Sequence, residues 1–76
     1  MQAEEVPLRV ELRLRGEAHR LVNVVFGGYE VGPDGGDTVV RGEARDEVDA
    51  LGLIERARSA GFSVVSWRNL DRPSPA

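Results

Sequence analysis

His19 is the single histidine of the chain, so proton chemistry would have to start there. A general base needs an orienting partner within hydrogen-bond reach and a pocket around it. The nearest acids in sequence, Glu17 and Glu30, stand at no spacing that makes such a pair. A histidine on a wet helix surface accounts for it. With no cysteine in the chain, one imidazole also falls short of the ligand set a transition metal takes. Asp34, Asp37, Asp46 and Asp49 do not have the spacing of a calcium loop, and no glutamate closes one. Gly27-Gly28 and Gly35-Gly36 lack the lead into a helix through Lys-Ser or Lys-Thr that a phosphate loop requires, so a turn role accounts for both. Ser59, Ser63 and Ser66 have no base at a familiar spacing. No catalytic residue, metal or cofactor is assigned. A small enzyme built on His19 would need a cavity of roughly 300 Å³ or more between its layers.

The elements that hold these residues are clearer than the chemistry. Leu8, Val10, Leu12 and Leu14 alternate with Arg9, Glu11, Arg13 and Arg15, which predicts a strand wet on one face. Gly16 ends it. Glu17 to Phe26 carries valines that suit a strand. Its residues Ala18, Leu21, Val22 and Val25 nevertheless fall at i, i+3, i+4 and i+7, which predicts a short helix stopped by Gly27-Gly28. Tyr29 to Gly32 and Asp37 to Glu43 read as strands joined through Pro33-Asp34-Gly35-Gly36, a hairpin. Asp46 is placed to cap a second helix, Ala50, Leu53, Ile54 and Ala57 form its apolar stripe, and Gly61 stops it. Phe62 to Arg68 is the last strand.

The resulting order, βαββαβ, predicts an α+β domain of the ferredoxin-like, split βαβ kind. Its four-stranded antiparallel sheet would have order 4-1-3-2 and both helices on one face. If Glu17 to Phe26 were a strand, a β-meander with one helix and a return strand would replace it. The 76 residues form one domain, with an ordered core of about residues 7–70 and a tail over 71–76. A chain of this size buries roughly 60% of its unfolded surface, and pairing with a second copy is a common way to enlarge so small a core.

Net charge is −3 and every one of the ten basic side chains is arginine. The acidic balance disfavours non-specific nucleic-acid binding. The absence of cysteine, of an apolar leader and of an apolar span leads to the expectation of a cytoplasmic protein with no membrane segment.

A two-layer domain leaves one sheet face uncovered. Period-two counting places Arg9, Glu11, Arg13 and Arg15 there. Val39, Arg41 and Glu43 join if Thr38 and Val40 point inward. Val65 and Trp67 join if Phe62 and Val64 do. Tryptophan and arginine are enriched in interface hot spots, so Trp67, Val65, Val39, Arg9 and Arg13 are the candidate contacts. Leu51, at the margin of the second helix's stripe beside Gly52, adds a small apolar patch with Val48. RNA recognition modules of this strand order carry aromatic residues on the central strands; Arg9, Arg13, Val39 and Arg41 hold those positions here.

From Thr38 to Leu70 the chain resembles a family of small, uncharacterised bacterial proteins. Their C-terminal half runs T-x-L-x-G-x-x-x-D-Q-A-A-L-H-G-L-L-x-R-I-x-x-L-G-L-x-L-V. Thr38, Val40, Gly42, Asp46, Gly52, Leu53, Ile54, Arg56, Gly61, Phe62, Val64 and Val65 match. Ala50-Leu51 stands where the family has Leu-His, and Glu47 where it has Gln. The resemblance implies the architecture and no site. The shape is also similar to regulatory domains of the ACT type, an analogy of fold alone. The expected function is a non-enzymatic interaction module, a homodimer or a subunit that binds another protein. The alternative is an ACT-like sensor of a small-molecule ligand, bound near Gly16, Glu17 and Gly27-Gly28.

Overall fold

The first strand, β1 (Leu8–Leu14), lies inside the sheet, and every other element is arranged around it. The computed structural model describes residues 7–17 and 19–71, and for His19 its place in the chain but not its side chain. After β1 come α1 (His19–Val25), β2 (Glu30–Asp34), β3 (Asp37–Ala44), α2 (Glu47–Ser59) and β4 (Val64–Asn69). The four strands form one antiparallel sheet in the order β2-β3-β1-β4. The protein is therefore α+β, with two helices and a four-stranded open sheet. Residues 17–26 contain a helix, which replaces the meander alternative.

One apolar cluster joins the layers. Val10, Leu12, Leu14, Val40 and Ala44 from the sheet meet Val22 and Phe26 near α1 and Ala50, Leu53 and Ala57 of α2. The stripe expected on α2 is the buried one. On α1 the buried face is turned: Leu21 is 52% exposed, and Phe26, just past the helix, is fully buried. A phenyl ring removes more apolar surface from water than a leucine, so the short helix orients to bury Phe26. The ring meets Tyr29 edge-on, with centroids 6.2 Å apart, and Arg56 of α2 lies 5.9 Å from its centre.

Local signals set the ends of α2. Asp46 accepts the Asp49 N–H at 2.8 Å and caps the helix, and the Asp49 carboxylate accepts the N–H of Arg45, the residue before the cap, at 2.9 Å. At the other end Phe62 N–H donates to Ala57 O and Gly61 N–H to Arg58 O, the Schellman pattern, with Gly61 at φ +94°. Between β2 and β3 the strands continue to Asp34 and Asp37, so the turn is shorter than the sequence suggested. Gly35 and Gly36 alone make it, both at positive φ as a two-residue hairpin requires.

Two further contacts fix β3. Thr38, fully buried, donates its hydroxyl to Gly16 O at 2.7 Å. The Tyr29 ring lies on Gly42, where an added Cβ would stand 2.1 Å from it, and the Tyr29 hydroxyl donates to Glu43 O at 3.1 Å. Glycine at 42 is thus explained by close approach of a ring. Asp71, the first residue of the expected tail, accepts the Arg9 N–H at 3.1 Å. The rest of the tail, 72–76, and Ala18 of the α1 stripe lie outside the described residues.

Candidate interaction surface

The uncovered face is an ordered array of charges. Strand register sets Glu30 opposite Arg41, Arg41 opposite Glu11 and Glu11 opposite Arg68, so one row crosses β2, β3, β1 and β4 with alternating sign. Partners directly opposite in an antiparallel pair share a face and lie close enough to interact. Arg41 Nε donates to Glu11 Oε2 at 2.8 Å and Arg68 Nε to Glu11 Oε1 at 3.0 Å. Glu11 is 8% exposed, so its charge is held by these two guanidinium groups in place of water. The hydrogen bond from Arg41, helped by Arg68 and opposed by burial, holds its carboxyl below the usual carboxylate range.

A second cluster closes the hairpin end. Arg13 bonds the Asp34 carboxylate, and donates to Asp34 O and to Asp37 Oδ2, each at 3.2 Å. Asp37 also accepts the Gly16 N–H at 3.1 Å; that bond first, and Arg13 after it, lowers the Asp37 carboxyl. The carboxylate of Asp34, then that of Asp37, raises the Arg13 guanidinium. Arg9 pairs with Asp71 at 3.6 Å. Two arginines that the sequence offered as free contacts, Arg9 and Arg13, are thus engaged within the chain.

The other candidates also need relocating. Val39 lies on the open face, as counting predicted, but the surrounding strands and side chains leave it 6% exposed. Trp67 does not lie on that face. It is paired with Leu12, so it belongs to the helix side, and Arg68 takes the open-face position beside Glu11. The cause is a register shift of β4 against Arg13 and Leu14: Ser66 pairs with Arg13 and Val64 with Leu14. Val64 does point inward, but Val65 is the extra residue of a bulge and alternation restarts beyond it. No composition signal marks the bulge. Val65 is 46% exposed and Trp67 36% exposed, both on the outermost strand. Leu51 and Val48 form an exposed apolar pair on α2, as expected, and Leu21 and Val24 make a similar pair on α1.

The backbone of β4 has a defined outer side. Leu70 N–H donates to Arg9 O at 2.6 Å, and Arg15 N–H to Ser63 O at 2.9 Å. Alternation in an antiparallel ladder then turns the backbone groups of Ser66 and Arg68 toward β1, and those of Trp67 and Asn69 toward the free edge. On the opposite border Pro33 stands in β2. A shallow groove of about 490 Å³ runs there over Gly32, Asp34, Val39 and Arg41. His19 starts α1, and Gly16 has both backbone polar groups bonded to β3. No helix among the described residues is long and apolar enough to cross a membrane, and no three His, Cys, Asp or Glu side chains among them gather as a metal site.

Comparison with known proteins adds a family. A domain of unknown function (DUF8691) matches residues 9–68, from the start of the charged row's central strand to its last arginine. The chain belongs to this family. No curated protein and no solved structure matches it. The matched DUF8691 span contains the whole charge row, the bulge and Trp67, so the surface described above belongs to the domain proper.

Proposed function

We propose that this DUF8691 domain is a non-enzymatic protein-interaction module of ferredoxin-like architecture, and that it binds through the free edge of β4. The order β2-β3-β1-β4 is 4-1-3-2 counted from β4, which supports the split βαβ arrangement. One observation carries the functional reading: the two borders of the sheet are unlike. β2 has a proline and two acidic residues along its length. β4 has neither, and it exposes Val65 and Trp67 beside outward backbone groups that no strand among the described residues takes up. Natural sheets blunt the edges that must stay single. An extended chain added to β4 would gain main-chain hydrogen bonds and cover the tryptophan. The occupant is a second copy or a different chain.

Asn69→Pro tests this reading. It removes one outward N–H and no bond to β1. The solution mass by light scattering, and the proteins retained from a lysate, would be compared with wild type. Loss of self-association or of a specific partner in the variant is the expected result. Association that survives both Asn69→Pro and Trp67→Ala would place the contact elsewhere.

A further inference from the structure

The charge row has a direction that its paired residues leave incomplete. From β2 to β4 it runs Glu30, Arg41, Glu11, Arg68, that is minus, plus, minus, plus. Arg68 stands at the end, on the strand with no neighbour beyond it among the described residues. It uses Nε for Glu11, and its side chain is 67% exposed. Glu11 is shared with Arg41, so Arg68, at the end of the row, has only part of one carboxylate. On the other side of the same strand the neighbour of Arg68 is Trp67, facing the helices. The edge therefore presents a cation on one face and an indole on the other, with the backbone groups of Trp67 between them.

Resting on the strand-addition reading above, we infer that the occupant of the β4 edge is an extended segment with acidic and apolar residues in alternation. Its acidic side chain lies opposite Arg68 and continues the row to a fifth position. Its apolar side chain lies opposite Trp67 on the helix side. Alternation is demanded by the pleat, because successive residues of the added strand point to opposite faces. Charge complementarity selects this occupant over a second copy. β4 itself carries a single charge, Arg68, and no acid, so two copies paired through β4 would bring no further carboxylate to either arginine. A basic strand would set like charges directly opposite, which is destabilising.

The test uses two fluorescent synthetic peptides, Thr-Val-Glu-Val-Glu-Val-Thr and the same sequence with lysine for glutamate. Binding is followed by anisotropy and by Trp67 emission, with the mass of the free protein measured in parallel. The acidic peptide is expected to bind about tenfold tighter than the basic one. That preference should shrink with added salt and fall to about twofold in Arg68→Gln. Asn69→Pro should weaken both peptides, while a Ser59→Ala control at the exposed end of α2 should change neither. Equal binding of the two peptides overturns the inference and leaves the edge reading intact. So does a wild-type dimer that Asn69→Pro dissociates, since the occupant is then a second copy. A monomer that binds neither peptide and loses no partner in Asn69→Pro overturns both.

Discussion

β2 and β4 border the same sheet, and they differ in every property that governs whether a strand accepts a neighbour. The two-residue turn makes Asp34 and Asp37 a bonded pair, so alternation points the backbone of Val31 and Pro33 outward from β2. Proline supplies no N–H there, and Glu30 and Asp34 add negative charge. On β4 the outward positions are Trp67 and Asn69, both with N–H groups, and the one charge is Arg68. Each border is also tied down differently. Tyr29 on Gly42 and Arg13 on Asp34 and Asp37 secure the β2 side. The β4 side rests on Glu11–Arg68 and on the bond from Leu70 to Arg9. The two borders thus differ in outward N–H groups, in charge and in what ties them down, and the proposed strand addition at β4 rests on that difference.

The largest effect is expected on the β2 side. Gly42→Val puts a branched side chain where the Tyr29 ring now lies, and the ring must leave. Overpacking of this kind costs about 1–3 kcal/mol. In a domain of this size that lowers Tm by roughly 4–8 °C for each kcal/mol. Amide exchange should accelerate in β2 and β3 and change little in β4. A uniform acceleration, or an unchanged Tm, would show that Tyr29 does not hold that border.

Cutting the charge row should weigh on the β4 side. Glu11→Gln leaves Arg41 and Arg68 without their shared carboxylate. Both arginine side chains are more than half exposed, which limits the loss to about 1 kcal/mol. The pH dependence gives the sign. Glu11 titrates lower in the folded protein than its ordinary value of about 4.3, so the unfolded chain binds more protons between the two values. Its contribution is complete above about pH 5 and is lost as pH falls through the folded value. Asp37, lowered chiefly by the Gly16 N–H, adds to the same slope. Urea denaturation from pH 6 down to 3 should show a shallower loss of stability in Glu11→Gln than in wild type. Equal slopes would remove Glu11 from the account.

The sequence carried much of the fold because its signals are local and strong. Period-two alternation in Leu8–Leu14, the Asp46 cap, the Gly61 stop and the Ala50–Ala57 stripe each depend on near neighbours. The orientation of α1 was not legible, since Phe26 lies beyond the last helical residue and competes with Leu21 through contacts made across the core. The surface was half legible. Counting placed Arg9, Glu11, Arg13, Val39 and Arg41 on the open face correctly, yet it could not reveal that most of the arginines are engaged or that Val39 is covered. Those facts depend on register between strands distant in sequence, such as Glu11 with Arg68. The bulge at Val65 moved Trp67 to the other face, and a one-residue change of register always exchanges faces.

The smallest effect tests the comparison most directly. Pro33→Val returns an outward N–H to β2 and disturbs no bond to β3, because the proline nitrogen faces the free side. Its effect on Tm should stay within what about 0.5 kcal/mol produces. The chain should also show no new association, because Glu30 and Asp34 still repel a second acidic border. Adding Glu30→Gln and Asp34→Asn removes that repulsion while leaving Arg13 an acceptor at position 34 and Asp37 untouched. The triple variant should then associate in a concentration-dependent way that Asn69→Pro does not suppress, since the new contact uses β2. If Pro33→Val alone associates, proline rather than charge is what keeps that border single. A triple variant that behaves like wild type up to millimolar concentration would mean that neither residue type distinguishes the borders, and the case for β4 would then rest on Trp67 and Arg68 alone.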